Sequence, residues 1–285
     1  MSVYGDSLFG WISFYNGRNF LYGKIYKMRK FKMIKLYKND CLIEMKNISD
    51  KSIDLILCDL PYEQTARNKW DLKLPFAPLW AEYKRIIKDN GAIILFANGM
   101  FTAELMMSNR NMWRYNLVWE KTQPTGFLNA KRMPLRNHED ICVFYKKLPV
   151  YNPQKTAGHK RKVSSANSKT KYKKSSDYNE VSRTSYDSTE RYPKSVLCFP
   201  KDVQKTALHP TQKPVALLEY IIKSYSNEDD VVLDNCMGSG STGIACLNTG
   251  RNFIGIEKDS LFFETASKRI MQAEKIGKEK FGRKR

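Results

Sequence analysis

Metal-binding side chains are scarce in this sequence, and those present are badly spaced for a metal. Its 285 residues include three histidines, His138, His159 and His209, far apart in the chain. The cysteines Cys41, Cys58, Cys142, Cys198, Cys236 and Cys246 form no C-x-x-C pair. A structural zinc site needs closely spaced Cys and His ligands, so no metal is expected. The cysteines fall mostly within apolar strand or helix patterns, as reduced core thiols of a cytoplasmic protein do. No apolar run approaches the roughly 20 residues of a membrane span, so no membrane anchor is expected. Residues 1–32 lack the apolar segment and small-residue cleavage site of a signal peptide. They differ in composition from the rest of the chain and read as an extension, with Met28 and Met33 as alternative starts. Internal repeats are absent as well.

Acidic residues are in deficit, with 29 Asp and Glu against 49 Lys and Arg and a net charge of +20. So basic a chain points to a polyanionic partner, nucleic acid or an anionic membrane, against the plainer reading of many surface lysines.

Strand-like apolar runs alternate with helical patterns, which predicts an α/β fold with a mostly parallel sheet. Strands are expected at 34–37, 53–58, 91–97, 113–120, 139–145, 231–234 and 253–257. Helices are expected at 75–88, 99–109, 212–225, 241–249 and 260–273. Asn90-Gly91 is read as the stop of the first helix, and Pro214 sits near the start of the third. Residues 113–146 read either as a hairpin facing a partner copy or as part of the core, so a homodimer is compatible. Between the apolar runs, residues 151–205 break the pattern, carrying thirteen basic against five acidic side chains with Tyr and Ser interleaved. This basic insert reads as loop-rich, with Lys160, Arg161, Lys162, Lys171, Lys173 and Lys174 suited to phosphate contact and the tyrosines to base stacking. The divisions are therefore 1–32, 33–150, 151–205, 206–274 and a frayed basic tail at 275–285.

Three short blocks carry chemistry. In the first, an apolar strand ends in Asp234 and runs through Gly238, Ser239, Gly240, Ser241, Thr242 and Gly243 into a helix. Glycines there admit a ligand close to the backbone, and the turn amides are donors. Glu257 ends the next strand, where a carboxylate can accept from ribose hydroxyls. The glycines also fit the G-x-G-x-x-G pattern of dinucleotide-binding oxidoreductases. Asp234 argues against that alternative, since a carboxylate repels a pyrophosphate and attracts a sulfonium. The second block, Asp59-Leu60-Pro61-Tyr62, comes directly after the strand at 53–58. Its carboxylate and the Leu60 carbonyl can accept the two N–H groups of an exocyclic amine, and Tyr62 can stack on a flipped base. The third, His209 to Pro214, precedes a helix.

Taken in order, these blocks resemble the beta group of amino DNA methyltransferases: a D-P-P-Y-type motif, then a target-recognition insert, then the glycine motif. The resemblance spans about 34–273. It implies a Rossmann-like seven-stranded sheet, S-adenosylmethionine as cofactor, and methyl transfer to adenine N6 in double-stranded DNA, in a restriction-modification setting. Cytosine N4, or a DNA-binding protein without catalysis, is the alternative. Asp234 and residues 238–242 would surround the methionine part of the cofactor, Thr211 and Lys213 its carboxylate, Glu257 its ribose, and Asp40 and Cys41 its adenine. An Asp-Cys before a helix is also an ordinary N-cap. Leu60 stands where the family usually has proline; since its contribution is a backbone carbonyl, little loss is expected.

Overall fold

The computed structural model describes residues 9–16, 19–26, 32–62, 73–165, 185–202 and 212–282. Two units are present, Met1–Met33 and Ile34–Arg285. In the first, β1 (Phe9–Asn16) pairs antiparallel with β2 (Asn19–Tyr26), from Phe9 opposite Tyr26 to Asn16 opposite Asn19.

The second unit alternates strands and helices: β3 (Ile34–Lys38), α1 (Cys41–Glu44), β4 (Ile53–Cys58), α2 (Phe76–Ile86), β5 (Ile87–Ala97), α3 (Met100–Ser108), β6 (Trp113–Thr125) and β7 (Arg136–Phe144). Then come β8 (Lys162–Ser164), β9 (Tyr186–Ser188), β10 (Val196–Phe199), α4 (Val215–Tyr225), β11 (Val231–Asp234), α5 (Ser241–Thr249), β12 (Asn252–Glu257) and α6 (Ser260–Gly282). The large sheet runs β10-β6-β7-β5-β4-β11-β12-β3. Within it, β7 is antiparallel to its neighbours β5 and β6, and every other pairing is parallel.

Strands buried on both faces read as continuous apolar runs, because helices cover each side. In β4 and β5, Ile56, Cys58, Ile93 and Leu95 pack with Leu79, Trp80 and Tyr83 of α2 and Phe101 and Leu105 of α3. Leu55, Leu57, Ile94 and Phe96 point the other way, toward Leu217 and Ile221 of α4, Ala245 of α5 and Ile270 of α6. No described helix is long and apolar enough to cross a membrane.

Several expectations are corrected. Among the described residues the sheet has eight strands rather than seven, because Val196–Phe199 inside the basic insert joins its edge beside β6. Asn90-Gly91 does not stop α2; the chain turns extended at Ile87, and Gly91 lies within β5 where the register against β4 shifts. A Cβ on Gly91 would stand 2.8 Å from the Asp54 carbonyl oxygen, so glycine permits this irregularity. The tail is helical as far as Gly282 rather than frayed from 275. Within the loop-rich insert, β8 and β9 pair antiparallel.

Candidate active site

Strands β3, β4, β11 and β12 all end at the same edge of the sheet, and a cavity of about 800 Å³ opens there. The crevice beyond the carboxyl ends of parallel strands is where such folds bind ligands.

One half of the cavity is built around β11. Asp234, 4% exposed, accepts from Thr242 Oγ1 at 2.6 Å and from the Cys236 amide at 3.2 Å. Burial raises its pKa from 3.8 to about 6, against these donors. The adjoining turn has Gly238 at φ 48° and Gly240 at φ 80°, both in the left-handed region. Glu257, at the end of β12, accepts from the Gly238 and Asp259 amides, each at 2.8 Å. Burial lifts its carboxyl above the usual range. Ser239 Oγ donates to Gln212 Oε1 at 3.2 Å, and the buried Ser241 hydroxyl has no partner among the described residues. Asp40 caps α1 by accepting from the Leu42 amide at 2.9 Å, and its other oxygen meets Lys258 Nζ at 3.0 Å. Its carboxyl lies below the usual range because these partners outweigh burial. Cys41 is buried, and both residues line the cavity.

The other half centres on Asp59, just past β4. The Tyr62 hydroxyl donates to Asp59 Oδ1, and Lys213 Nζ donates to Oδ2. Lys213, with its side chain 8% exposed, also stands 3.3 Å from Glu139 Oε2, while Lys121 binds Glu139 Oε1. Two carboxylates and two ammoniums thus neutralise one another in a partly buried site, where isolated charges would be costly. Burial raises the Asp59 carboxyl, more than Lys213 lowers it. Lys213 is held above the usual lysine range by Asp59 and Glu139 despite burial. Burial also acts on Glu139, but Lys213 and Lys121 hold it below the usual carboxylate range. The Tyr62 ring stacks on Phe101 with centroids 4.8 Å apart. Leu60 is buried in the apolar cluster, so a side chain other than proline's is accommodated there.

Two carboxylates, Asp234 and Glu257, flank the glycine turn, and one of them already takes a turn amide. That arrangement disfavours a pyrophosphate and suits a cationic ligand with hydroxyls. The N6/N4 DNA methylase family model matches residues 53–268. The chain belongs to the DNA methylase family. The methylase is 28% identical over 267 residues to Type II methyltransferase M.HinfI of Haemophilus influenzae, spanning 83% of this chain and 68% of that one. It is 25% identical over 278 residues to Type II methyltransferase M2.MboI of Moraxella bovis, spanning 89% and 93%. Among solved structures, the M1.HpyAVI–SAM complex is similar at 26% identity and TM-score 0.58, covering 84% of the methylase and 99% of that chain.

The methylase gathers Asp40, Cys41, Asp59 to Tyr62, Lys213, Asp234, Gly238, Ser239, Ser241, Thr242 and Glu257 around one cavity, with Gly240 in the same turn. Lys213, expected at the cofactor carboxylate, here engages Asp59 and Glu139, two partly buried carboxylates that need a countercharge. Thr211, Lys171, Lys173 and Lys174 lie outside the described residues. Lys160 and Lys162 are exposed, whereas Arg161 is held by Asp187 through two bonds of 2.8 and 2.6 Å. Glu139, Lys121 and Phe101 were not singled out from the sequence. Glu139 and Lys121 carry a signal, being charged residues beside apolar strand runs.

Proposed function

We propose that the methylase transfers the methyl group of S-adenosylmethionine to N6 of adenine in duplex DNA. The observation that carries this reading is the shared cavity, with Asp59 and Tyr62 on one side and Asp234 and Glu257 on the other. Two similar proteins are named Type II methyltransferases, and the similar solved chain is a SAM complex.

The residues fit the cofactor. Asp234 offers negative charge to a sulfonium, Glu257 offers acceptors to ribose hydroxyls, and the Ser241 hydroxyl, without a partner among the described residues, is available to a polar group. When bound, S-adenosylmethionine supplies an electrophilic methyl on a good leaving group. The chain's own task is then orientation and electrostatics. Asp59 and the Leu60 carbonyl accept the two N–H groups of the amine, which frees its lone pair from the ring. Tyr62, backed by Phe101, stacks on the extruded base. For Asp59 to take the amine, Lys213 must release it, and Glu139 keeps a second carboxylate in reach. Asp59 takes the proton that the amine sheds after methyl transfer.

The test is to incubate the protein with S-adenosylmethionine and unmethylated DNA, digest to nucleosides and analyse by mass spectrometry. N6-methyladenine is expected. N4-methylcytosine would keep the chemistry and overturn the choice of base.

A further inference from the structure

The β6–β7 loop stands at the same sheet edge as Asp59. Thr125, the last residue of β6, pairs with Arg136, the first of β7, and both line the cavity. Beyond that pair, residues 126–135 form a compact turn. Gly126 enters it at φ 94°, residues 127–129 make one turn of 3₁₀ helix, and the Asn129, Ala130, Arg132 and Met133 amides all bond within the loop. The turn is therefore shaped by its own backbone. On it sit three large apolar side chains open to water: Leu128 is 101% exposed, Phe127 68% and Met133 57%. Around them stand Lys131, Arg132 and Arg136, none in an ion pair among the described residues, and no acidic residue occurs from 121 to 138.

An apolar tip with a cationic rim has a particular complement: an apolar slot flanked by anions. A base step opened by extrusion of a nucleotide is such a slot, between base faces and two phosphate backbones. A second copy of this chain is the poorer match, since a two-fold contact would bring the same cationic rim against itself.

We infer that the β6–β7 loop is a wedge, with Phe127 and Leu128 entering the duplex and holding the space left by the extruded base. Lys131 and Arg132 grip the adjacent phosphates. This deepens the proposed function and rests on it. It also shifts part of the DNA contact from the basic insert to a loop bordering the cavity.

The test compares wild type with F127A/L128A, two exposed positions whose truncation should leave folding intact. Methyl incorporation is measured on a duplex carrying a methylated-site sequence, and on the same duplex with the target adenine opposite an abasic site. S-adenosylmethionine binding is followed by thermal shift. Since a pre-opened base needs no wedge, the variant should lose at least about tenfold on the intact duplex and regain near wild-type rates on the abasic one. Cofactor binding should not change. Unchanged or equally reduced rates on both duplexes would overturn the wedge, and a change in sedimentation with equal losses would reassign the loop to contact between copies. If wild type methylates neither duplex, the methyl-transfer reading itself falls, and the wedge with it.

Discussion

Asp59 has both carboxylate oxygens engaged by side chains of its own protein, Tyr62 and Lys213, before any substrate is considered. Lys213 in turn lies between Asp59 and Glu139, so it can yield one acceptor without losing all countercharge. Asp234 is poised differently. Its carboxyl is raised to about 6 by burial, so between about pH 4 and pH 6 the folded protein holds a proton that the unfolded chain releases. The stability this proton provides is present below the unfolded value and is lost as pH rises through the folded one. Cofactor binding should run the other way, because a sulfonium prefers the ionised carboxylate. Thermal shift from pH 5 to pH 8 should show the free protein destabilised toward pH 6 and S-adenosylmethionine affinity rising about tenfold over the same step. Asp234→Asn should flatten both trends; a cofactor affinity independent of pH in wild type would deny Asp234 its role. At this scale the sequence disclosed the residues that belong to contiguous motifs, Asp59, Tyr62, Asp234 and Glu257. It did not disclose Glu139 and Lys121, because their meaning lies in distant partners meeting across the sheet.

Among the elements, the strand–turn–helix units were the most legible. Ile53–Cys58, Val231–Asp234 and Ser241–Thr249 form where periodicity and punctuation placed them. β10 was not legible, since four apolar residues amid basic, polar sequence show no period; the open edge of β6 determines that they become a strand. The β5 start was misjudged for a related reason: Asn-Gly usually punctuates, but pairing with β4 keeps the chain extended through Gly91. The glycine turn ties the cofactor half together. A Cβ on Gly240 would stand 2.9 Å from the Ala266 Cβ of α6, at a φ of 80°. Gly240→Ala should therefore cost about 1–3 kcal/mol of stability and weaken S-adenosylmethionine binding, both readable by calorimetry. Unchanged stability and binding would mean that α6 and the turn shift freely.

For the whole molecule, charge is the dominant feature. A net charge of +20 gathers a polyanion without reading its sequence. DNA affinity should fall by about 10³-fold or more between 50 and 200 mM salt, if six or more phosphates are contacted, as measured by fluorescence anisotropy. A flat salt dependence would mean that the basic surface lies away from the DNA. With Arg161 of the insert paired to Asp187, the exposed loop at 126–135 extends the candidate contacts beyond the insert.

The most direct measurement is nucleoside mass spectrometry of DNA treated with wild type and with Asp59→Ala in the presence of S-adenosylmethionine. Wild type should produce N6-methyladenine, and the variant should lose activity by about 10²-fold or more while still binding cofactor. Equal N6-methyladenine from both proteins would contradict the assignment of Asp59 as the acceptor that orients the amine, and with it the reading of the cavity.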